Sequence, residues 1–158
     1  MSKRLDPMSV PSTWREFMYD SVLLPFETGT LKTKAGNYDS KSVESAIGLM
    51  ASKIDKLADL QPLETQYKDV EDEFLVFYNP EKGMRSLFER LRDVAAHGDY
   101  GLEKPNWIRI RHRFACSGKP EATRMFGCLK FQTLRALVKY INVAKDPQFD
   151  ARALTEHQ

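Results

Sequence analysis

The sequence predicts an all-α fold, a helical bundle of four to five helices with a short extended segment near residues 107–114. Four stretches carry apolar residues three and four positions apart, which is the spacing of an amphipathic helix, and short connections separate them. The chain has no internal repeat, and its 158 residues suffice for one hydrophobic core. We therefore expect a single domain over residues 1–158, with a core at about 13–144 and a frayed tail at 146–158.

Two helices are predicted in the first part of the chain. Thr13 begins a capping box that ends at Glu16, and apolar residues follow at helical spacing, so a first helix should run from about Thr13 to Leu24. Residues 27–40 contain two glycines, an asparagine and an aspartate, which is typical of a loop. An almost continuous apolar stripe over residues 43–58 then predicts an amphipathic helix that packs into the core.

The middle of the chain predicts the helix that carries the candidate site. Residues 66–78 fit a helix, which we favour, or a short strand, because their last five residues are aromatic and apolar. The asparagine and proline at 79–80 suit the N-cap and first position of a helix. The apolar stripe that follows leads to His97, and Gly98 is a natural terminator.

The last part of the chain predicts one extended segment and one helix. Residues 107–114 alternate apolar with basic side chains, which is the period of an extended segment. Turn-forming residues at 117–120 interrupt this pattern. Apolar positions then predict a final helix over about residues 121–144, which would complete the bundle.

Arg92, Asp93 and His97 form the candidate catalytic site. Asp93 and His97 are i,i+4 neighbours on one helix face, so the carboxylate should orient the imidazole. His97 lies in the last turn, where exposed carbonyl groups favour its protonated form. With Arg92 beside them, these groups suit chemistry on a phosphodiester. From the residues alone, a helix-capping histidine and surface ion pairs are the alternative.

The same run resembles the signature of the HEPN (higher eukaryotes and prokaryotes nucleotide-binding) superfamily, an arginine followed four to six residues later by histidine, with a polar residue next to the arginine. Here the pattern is Arg92, Asp93, three further residues and His97. The resemblance implies an all-α bundle, a metal-independent ribonuclease with these three catalytic residues and no cofactor, and a homodimer. It also implies a toxin or defence role, with an antitoxin partner of the minimal nucleotidyltransferase type.

The expected reaction is cleavage of RNA by attack of its own 2′-hydroxyl, which requires a proton acceptor, a proton donor and a cation for the phosphorane. We expect His97 to transfer protons, Arg92 to hold the phosphate and Asp93 to orient the imidazole. One histidine cannot easily be base and acid at once, so a cleft shared by two protomers is expected. The alternatives are a non-catalytic RNA- or nucleotide-binding module and a structural helical dimer.

Basic residues are concentrated after the candidate site. Residues 104–139 carry nine lysines and arginines against one acid, whereas residues 64–73 carry five acids against one lysine. A one-sided basic segment suits a polyanion, although a solvated charged face explains any single lysine equally well. His112, between Arg111 and Arg113, is either a neutral base or a plain strand residue, and we favour the latter. The residues predicted to bind RNA are Arg109, Arg111, Arg113 and Lys119.

Composition argues against several classes of protein. The first residues lack the apolar core of a secretory signal, and no run of about 20 apolar residues predicts a membrane span. We therefore expect a cytoplasmic protein without membrane association. Cys116 and Cys128 lack a CxxC pattern and nearby histidine ligands, so we expect reduced thiols and no metal site.

Overall fold

A computed structural model describes residues 4–27, 44–45, 47–80, 85–115 and 118–143. It contains a five-stranded sheet with helices packed on both faces, so the prediction of an all-α, HEPN-like helical bundle is wrong. In chain order the elements are a 3₁₀ turn (Pro7–Ser9), α1 (Ser12–Phe17), a π-helix (Met18–Leu23), α2 (Leu24–Glu27), β1 (Met50–Ile54), α3 (Leu57–Gln66), β2 (Phe74–Tyr78), α4 (Arg85–His97), β3 (Tyr100–Lys104), β4 (Trp107–Phe114), β5 (Ala122–Lys130) and α5 (Phe131–Val143).

The strands lie in the order β1-β2-β5-β4-β3, with β1 parallel to β2 and every other neighbouring pair antiparallel. α3 supplies the crossover that parallel neighbours need. β2 and β4 therefore point the same way, and both end at one end of the sheet, with Tyr78 and Phe114. We call this the carboxyl end. The amino end is the opposite one, where β4 begins at Trp107 and pairs with Lys130.

Apolar side chains fill both faces of the sheet. On one face, Leu60 of α3 packs against Phe74, Val76 and Phe126. On the other, the N-terminal helices, α4 and α5 cover a larger core. The result is a three-layer α/β structure. Its completely buried side chains on the larger face include Leu75, Phe77, Leu87, Ile110 and Leu134.

β1 replaces part of the helix that the apolar stripe over 43–58 predicts. Met50–Ile54 is a strand that pairs with β2, and α3 begins only at Leu57. Within five residues, apolar positions three apart fit a strand as well as a helix, and pairing with β2 decides between them. Residues 43 and 46 of the predicted helix lie outside the described residues.

β2 corrects the preference for a helix over 66–78. Residues 74–77 are all buried, because β2 lies between β1 and β5 and both of its faces are covered. A strand of this kind is a continuous apolar run without a period that distinguishes it from a buried helix. The strand alternative is therefore the correct one for these residues.

β5 and α5 divide the segment predicted as one final helix. Ala122–Lys130 is a strand, and the helix is confined to Phe131–Val143. Residues 125–129 are all buried, as expected of a central strand, although some of them also fit helical spacing. At Gly127 a Cβ would lie 2.6 Å from a carbonyl oxygen of β2, so this close approach requires glycine.

Other parts of the secondary structure agree with the sequence. β4 covers the predicted extended segment, and residues 12–27 form the first helical segment, which includes the π-helix. Apart from Glu27, the predicted loop at 27–40 lies outside the described residues, as does the predicted tail at 146–158.

Candidate active site

The C-terminal end of α4 lies at the carboxyl end of the sheet. α4 buries Leu91 and Val94 in the core and ends at His97, as predicted. Gly98 has a φ of 67°, and the N–H of Asp99 donates to the carbonyl of Val94 at 3.0 Å. This glycine cap stops the helix and directs the chain into β3, which runs beside the end of β4.

Arg92 is held by two carboxylates. Its Nε donates to Asp93 Oδ1 at 2.7 Å, and its Nη1 donates to Glu27 Oε1 at 3.1 Å. The guanidinium also lies 4.9 Å from the centre of the Phe26 ring. Burial opposes the charge, but the hydrogen bond to Glu27 and the charge of Asp93 together raise the pKa of Arg92. The group expected to bind phosphate is therefore already ion-paired in this structure.

His112 of β4 contacts Asp93 and thereby joins the side chains at the end of α4, although the sequence does not predict this. Its Nδ1 lies 2.9 Å from Asp99 Oδ2, and its Nε2 lies 3.6 Å from Asp93 Oδ2. The residue is only 2% exposed. Because both ring nitrogens face carboxylates in a buried environment, the orientation of this imidazole is fixed.

The imidazoles of His97 and His112 lie side by side. Their ring centres are 6.1 Å apart, and their planes differ by 18°. His97 is exposed, whereas His112 is buried. Among the described residues Asp93 makes no hydrogen bond to His97, and its carboxylate faces Arg92 and His112 instead. Arg92 and Asp93 are thus in contact, but in the described part of the chain His97 is connected to them only through His112, and Asp93 is directed towards the buried ring.

Arg90 adds a second cation to the cluster. Its Nη1 lies 3.8 Å from Asp93 Oδ2, and its guanidinium lies 5.8 Å from the centre of the Tyr78 ring. Its Nε is buried and has no hydrogen-bond partner among the described residues. Burial and the neighbouring charge of Arg124 lower the pKa of Arg90. Asp93 is therefore shared by Arg90, Arg92 and His112.

Two of the arginines predicted to bind RNA, Arg109 and Arg111, lie on the other face of the sheet and are paired with carboxylates. Arg109 forms a salt bridge with Glu103, and Arg111 forms one with Glu64 of α3. Burial raises the pKa of Glu64, but the hydrogen bond and charge of Arg111 outweigh it and hold that pKa below its usual value. Neither guanidinium is near His97 in this arrangement, because side chains alternate along β4 and His112 faces α4.

The other two residues predicted to bind RNA are exposed. Arg113 ends the basic pattern of β4, and Lys119 lies in the connection to β5. Neither forms a salt bridge with another residue of the described ranges. Both side chains are therefore accessible to a polyanion. Arg109 and Arg111 of β4 could bind one only if their salt bridges broke.

Strand alternation is the signal that identifies His112. Successive side chains of an extended strand point to opposite faces, so Arg111 and Arg113 do not flank the imidazole. Arg111 and Arg113 therefore lie on the opposite face of β4 from His112. Asp99 carries no comparable signal, because its contact with His112 depends on how β3 and β4 pair.

The described residues were predicted to hold no metal site and to contain reduced thiols. Within the described ranges, no group of three histidine, cysteine or acidic side chains could hold a metal ion. Cys128 is a buried free thiol whose pKa is raised by burial, and Cys116 lies outside the described residues. None of the described helices has the length and apolar character to span a membrane.

Known proteins do not assign this site to a family. Protein-family models, curated proteins and solved structures give no match. The resemblance to the HEPN superfamily therefore remains a hypothesis that rests on Arg92, Asp93 and His97. What the site can do follows from its own geometry.

Proposed function

We propose that this protein is a metal-independent endoribonuclease whose chemistry takes place at the His97 end of α4. The observation that carries the proposal is an exposed imidazole, that of His97, which lies 6.1 Å from the buried imidazole of His112, whose neighbour Asp93 also binds Arg92. Cleavage through the RNA 2′-hydroxyl needs proton transfer and a cation near the phosphorane.

His97 and Arg92 are the catalytic residues of this proposal. His97 ends α4 and is exposed, so its imidazole is accessible to a substrate and can transfer a proton to the leaving 5′-oxygen. Arg92 binds the phosphate. The side chains of Arg92 and Glu27 are 32% and 55% exposed, and exposed ion pairs are weak, so a phosphate can displace Glu27.

Asp93 and His112 act as positioning residues. His112 is buried with both ring nitrogens on carboxylates, so it does not reach a substrate. Asp93 connects this imidazole to Arg92 and orients the guanidinium. A second group for proton transfer is still required, and we infer a two-fold homodimer in which the partner's His97 supplies it. A light-scattering mass of only 18.2 kDa at micromolar concentration would contradict the shared site.

Cleavage of total RNA in EDTA tests the proposed activity. We expect wild type to cleave and His97→Ala to lose about 10²–10⁴-fold in rate, which is the usual contribution of general acid–base catalysis. His157→Ala removes an imidazole elsewhere in the chain and is the matched control. Equal cleavage by wild type and His97→Ala would indicate a contaminating nuclease and contradict the proposal.

The biological role that accompanies this activity is that of a cytoplasmic toxin or defence factor. The support is the HEPN resemblance, which also suggests an antitoxin partner of the minimal nucleotidyltransferase type. Growth arrest after expression of wild type, but not of His97→Ala, is the expected result. Equal growth with both would contradict the toxin role.

A non-catalytic RNA-binding module is the second candidate. The observation that favours it is the pairing of Arg92 Nε with Asp93 and of Nη1 with Glu27, which leaves fewer of its donors for a phosphorane until Glu27 moves. This candidate predicts that RNA is bound but not cleaved by wild type in the same assay. Its affinity should fall steeply with salt, as for any site that neutralises phosphates.

A further inference from the structure

A second site lies at the amino end of the sheet. A cleft of about 750 Å³ separates the helical segment of α1 and the π-helix from the turn between β3 and β4, and the start of α5 forms its third wall. This volume is within the range of small-molecule sites. The cleft is at the opposite end of the sheet from His97, and none of the proposed catalytic residues lines it.

Aromatic side chains give the cleft a fixed shape. Trp14 stacks on Phe131 with ring centres 4.3 Å apart, and Phe17 meets Phe131 edge to face at 5.3 Å. The N–H of Phe131 donates to the carbonyl of Asn106 at 2.8 Å, which ties the β3–β4 turn to α5. Phe17 and Trp107 are half-buried and line the cleft. The aromatic walls therefore exist before any ligand binds.

The charges on the cleft are separated by sign. Glu16 and Asp20 line the wall of the N-terminal helices, whereas Lys130 and Arg135 line the wall of β5 and α5. None of the four forms a salt bridge with another described residue, although Lys130 lies 6.0 Å from the Trp107 ring. A ligand that matches this cleft offers N–H donors at one end, an anion at the other and a planar ring between them.

We propose that this cleft binds a purine nucleoside monophosphate, with its base towards Glu16 and Asp20 and its phosphate on Lys130 and Arg135. Guanine is the favoured base, since its ring N–H and exocyclic amine can donate together to one carboxylate. Stacking of a base on an aromatic side chain adds to the affinity.

Tryptophan fluorescence is a direct test, because the two tryptophans of the chain, Trp14 and Trp107, both line the cleft. Guanosine 5′-monophosphate should quench the fluorescence of the full chain saturably, and adenosine 5′-monophosphate should bind more weakly. Arg135→Ala should weaken binding about tenfold, as expected for a lost charge-assisted hydrogen bond. Lys68→Ala, which removes an exposed cation away from the cleft, should not.

The outcomes separate this site from the proposed ribonuclease. His97→Ala should bind the nucleotide as wild type does, whatever its effect on RNA. Absence of saturable quenching up to about 10 mM nucleotide would overturn the proposal, as would equal affinity for inorganic phosphate alone. Unchanged affinity of Arg135→Ala would also overturn it, and circular dichroism checks that this exposed substitution leaves the fold intact.

Discussion

The two ends of the sheet hold charge in opposite ways. At the carboxyl end, His112 lies between Asp93 and Asp99, and the three side chains are between 3% and 20% exposed. At the amino end, Glu16 and Arg135 line an open cleft, are exposed and have no salt-bridge partner among the described residues. The carboxyl end is thus a closed network of paired polar groups, and the amino end is an open cleft with charges unpaired in the described ranges.

This difference in burial determines which charged groups are fixed in one arrangement and which are available to bind a ligand. Electrostatic interactions are stronger where water is excluded, so buried partners hold one another in a single arrangement. Exposed charges are screened and move easily, so they contribute little to the fold and can pair with a ligand. The carboxyl end therefore holds His112 and its two carboxylates in one arrangement, and the amino end suits reversible binding.

Loss of Arg92 is expected to have the largest effect and tests whether the carboxyl end is the reactive one. Arg92→Ala should lower RNA cleavage by about 10²–10³-fold, the usual cost of one lost group that stabilises transition-state charge. Single-turnover cleavage in EDTA measures this effect. Lys68→Ala removes an exposed cation elsewhere and should cleave as wild type does. Comparable losses in both variants would contradict a specific role of Arg92 at the carboxyl end.

Asp99 tests whether the closed network stabilises the fold. Asp99→Ala leaves the buried Nδ1 of His112 without its partner and should cost about 1–3 kcal/mol in the free energy of unfolding. Asp99→Asn keeps an oxygen acceptor and should cost less. Urea unfolding followed by circular dichroism measures both. If the two variants lose the same stability, the charge of Asp99 rather than its hydrogen bond is what matters.

The sequence predicts the parts of the candidate site that depend on neighbours along the chain. The end of α4 at His97 follows from local helix rules, and so does the proximity of Arg92 to Asp93. His112 and Asp99 join them only because β3 pairs with β4 and α4 packs on that face. Such contacts between distant residues are not visible in a local pattern.

The same limit explains the incorrect fold class. β1, β2 and β5 each contain apolar residues at spacings that a buried helix also shows. Their pairing joins distant residues, since Met50 and its partner Phe74 are 24 residues apart and Leu75 and its partner Gly127 are 52 residues apart. These pairings outweigh helix propensity once a sheet forms. Only β4, with its strict alternation of apolar and basic residues, carries an unambiguous strand signal.

Glu64 and Arg111 form a half-buried salt bridge on the face that α3 covers, so their burial is intermediate between that of the His112 network and that of the exposed charges in the cleft. The pKa of Glu64 is lowered in the folded protein, so its stabilising contribution is complete above the unfolded value of about 4.3 and is lost as the pH falls through the lower folded pKa. Wild type should therefore lose more stability than Glu64→Gln on acidification, by about 1 kcal/mol or less. Urea midpoints measured at several pH values test this, and parallel pH profiles would contradict it.

The smallest effect is expected from the open end. Glu16→Gln and Arg135→Ala should each change the free energy of unfolding by less than about 0.5 kcal/mol, because these exposed groups have no partner in the described fold to lose. Thermal unfolding measures this difference. Guanosine 5′-monophosphate should raise the melting temperature of wild type more than that of Arg135→Ala, since a ligand stabilises in proportion to its affinity for the folded state. A loss above about 1 kcal/mol in either variant without nucleotide would show that these charges already serve the fold, and the contrast between the two ends would fail.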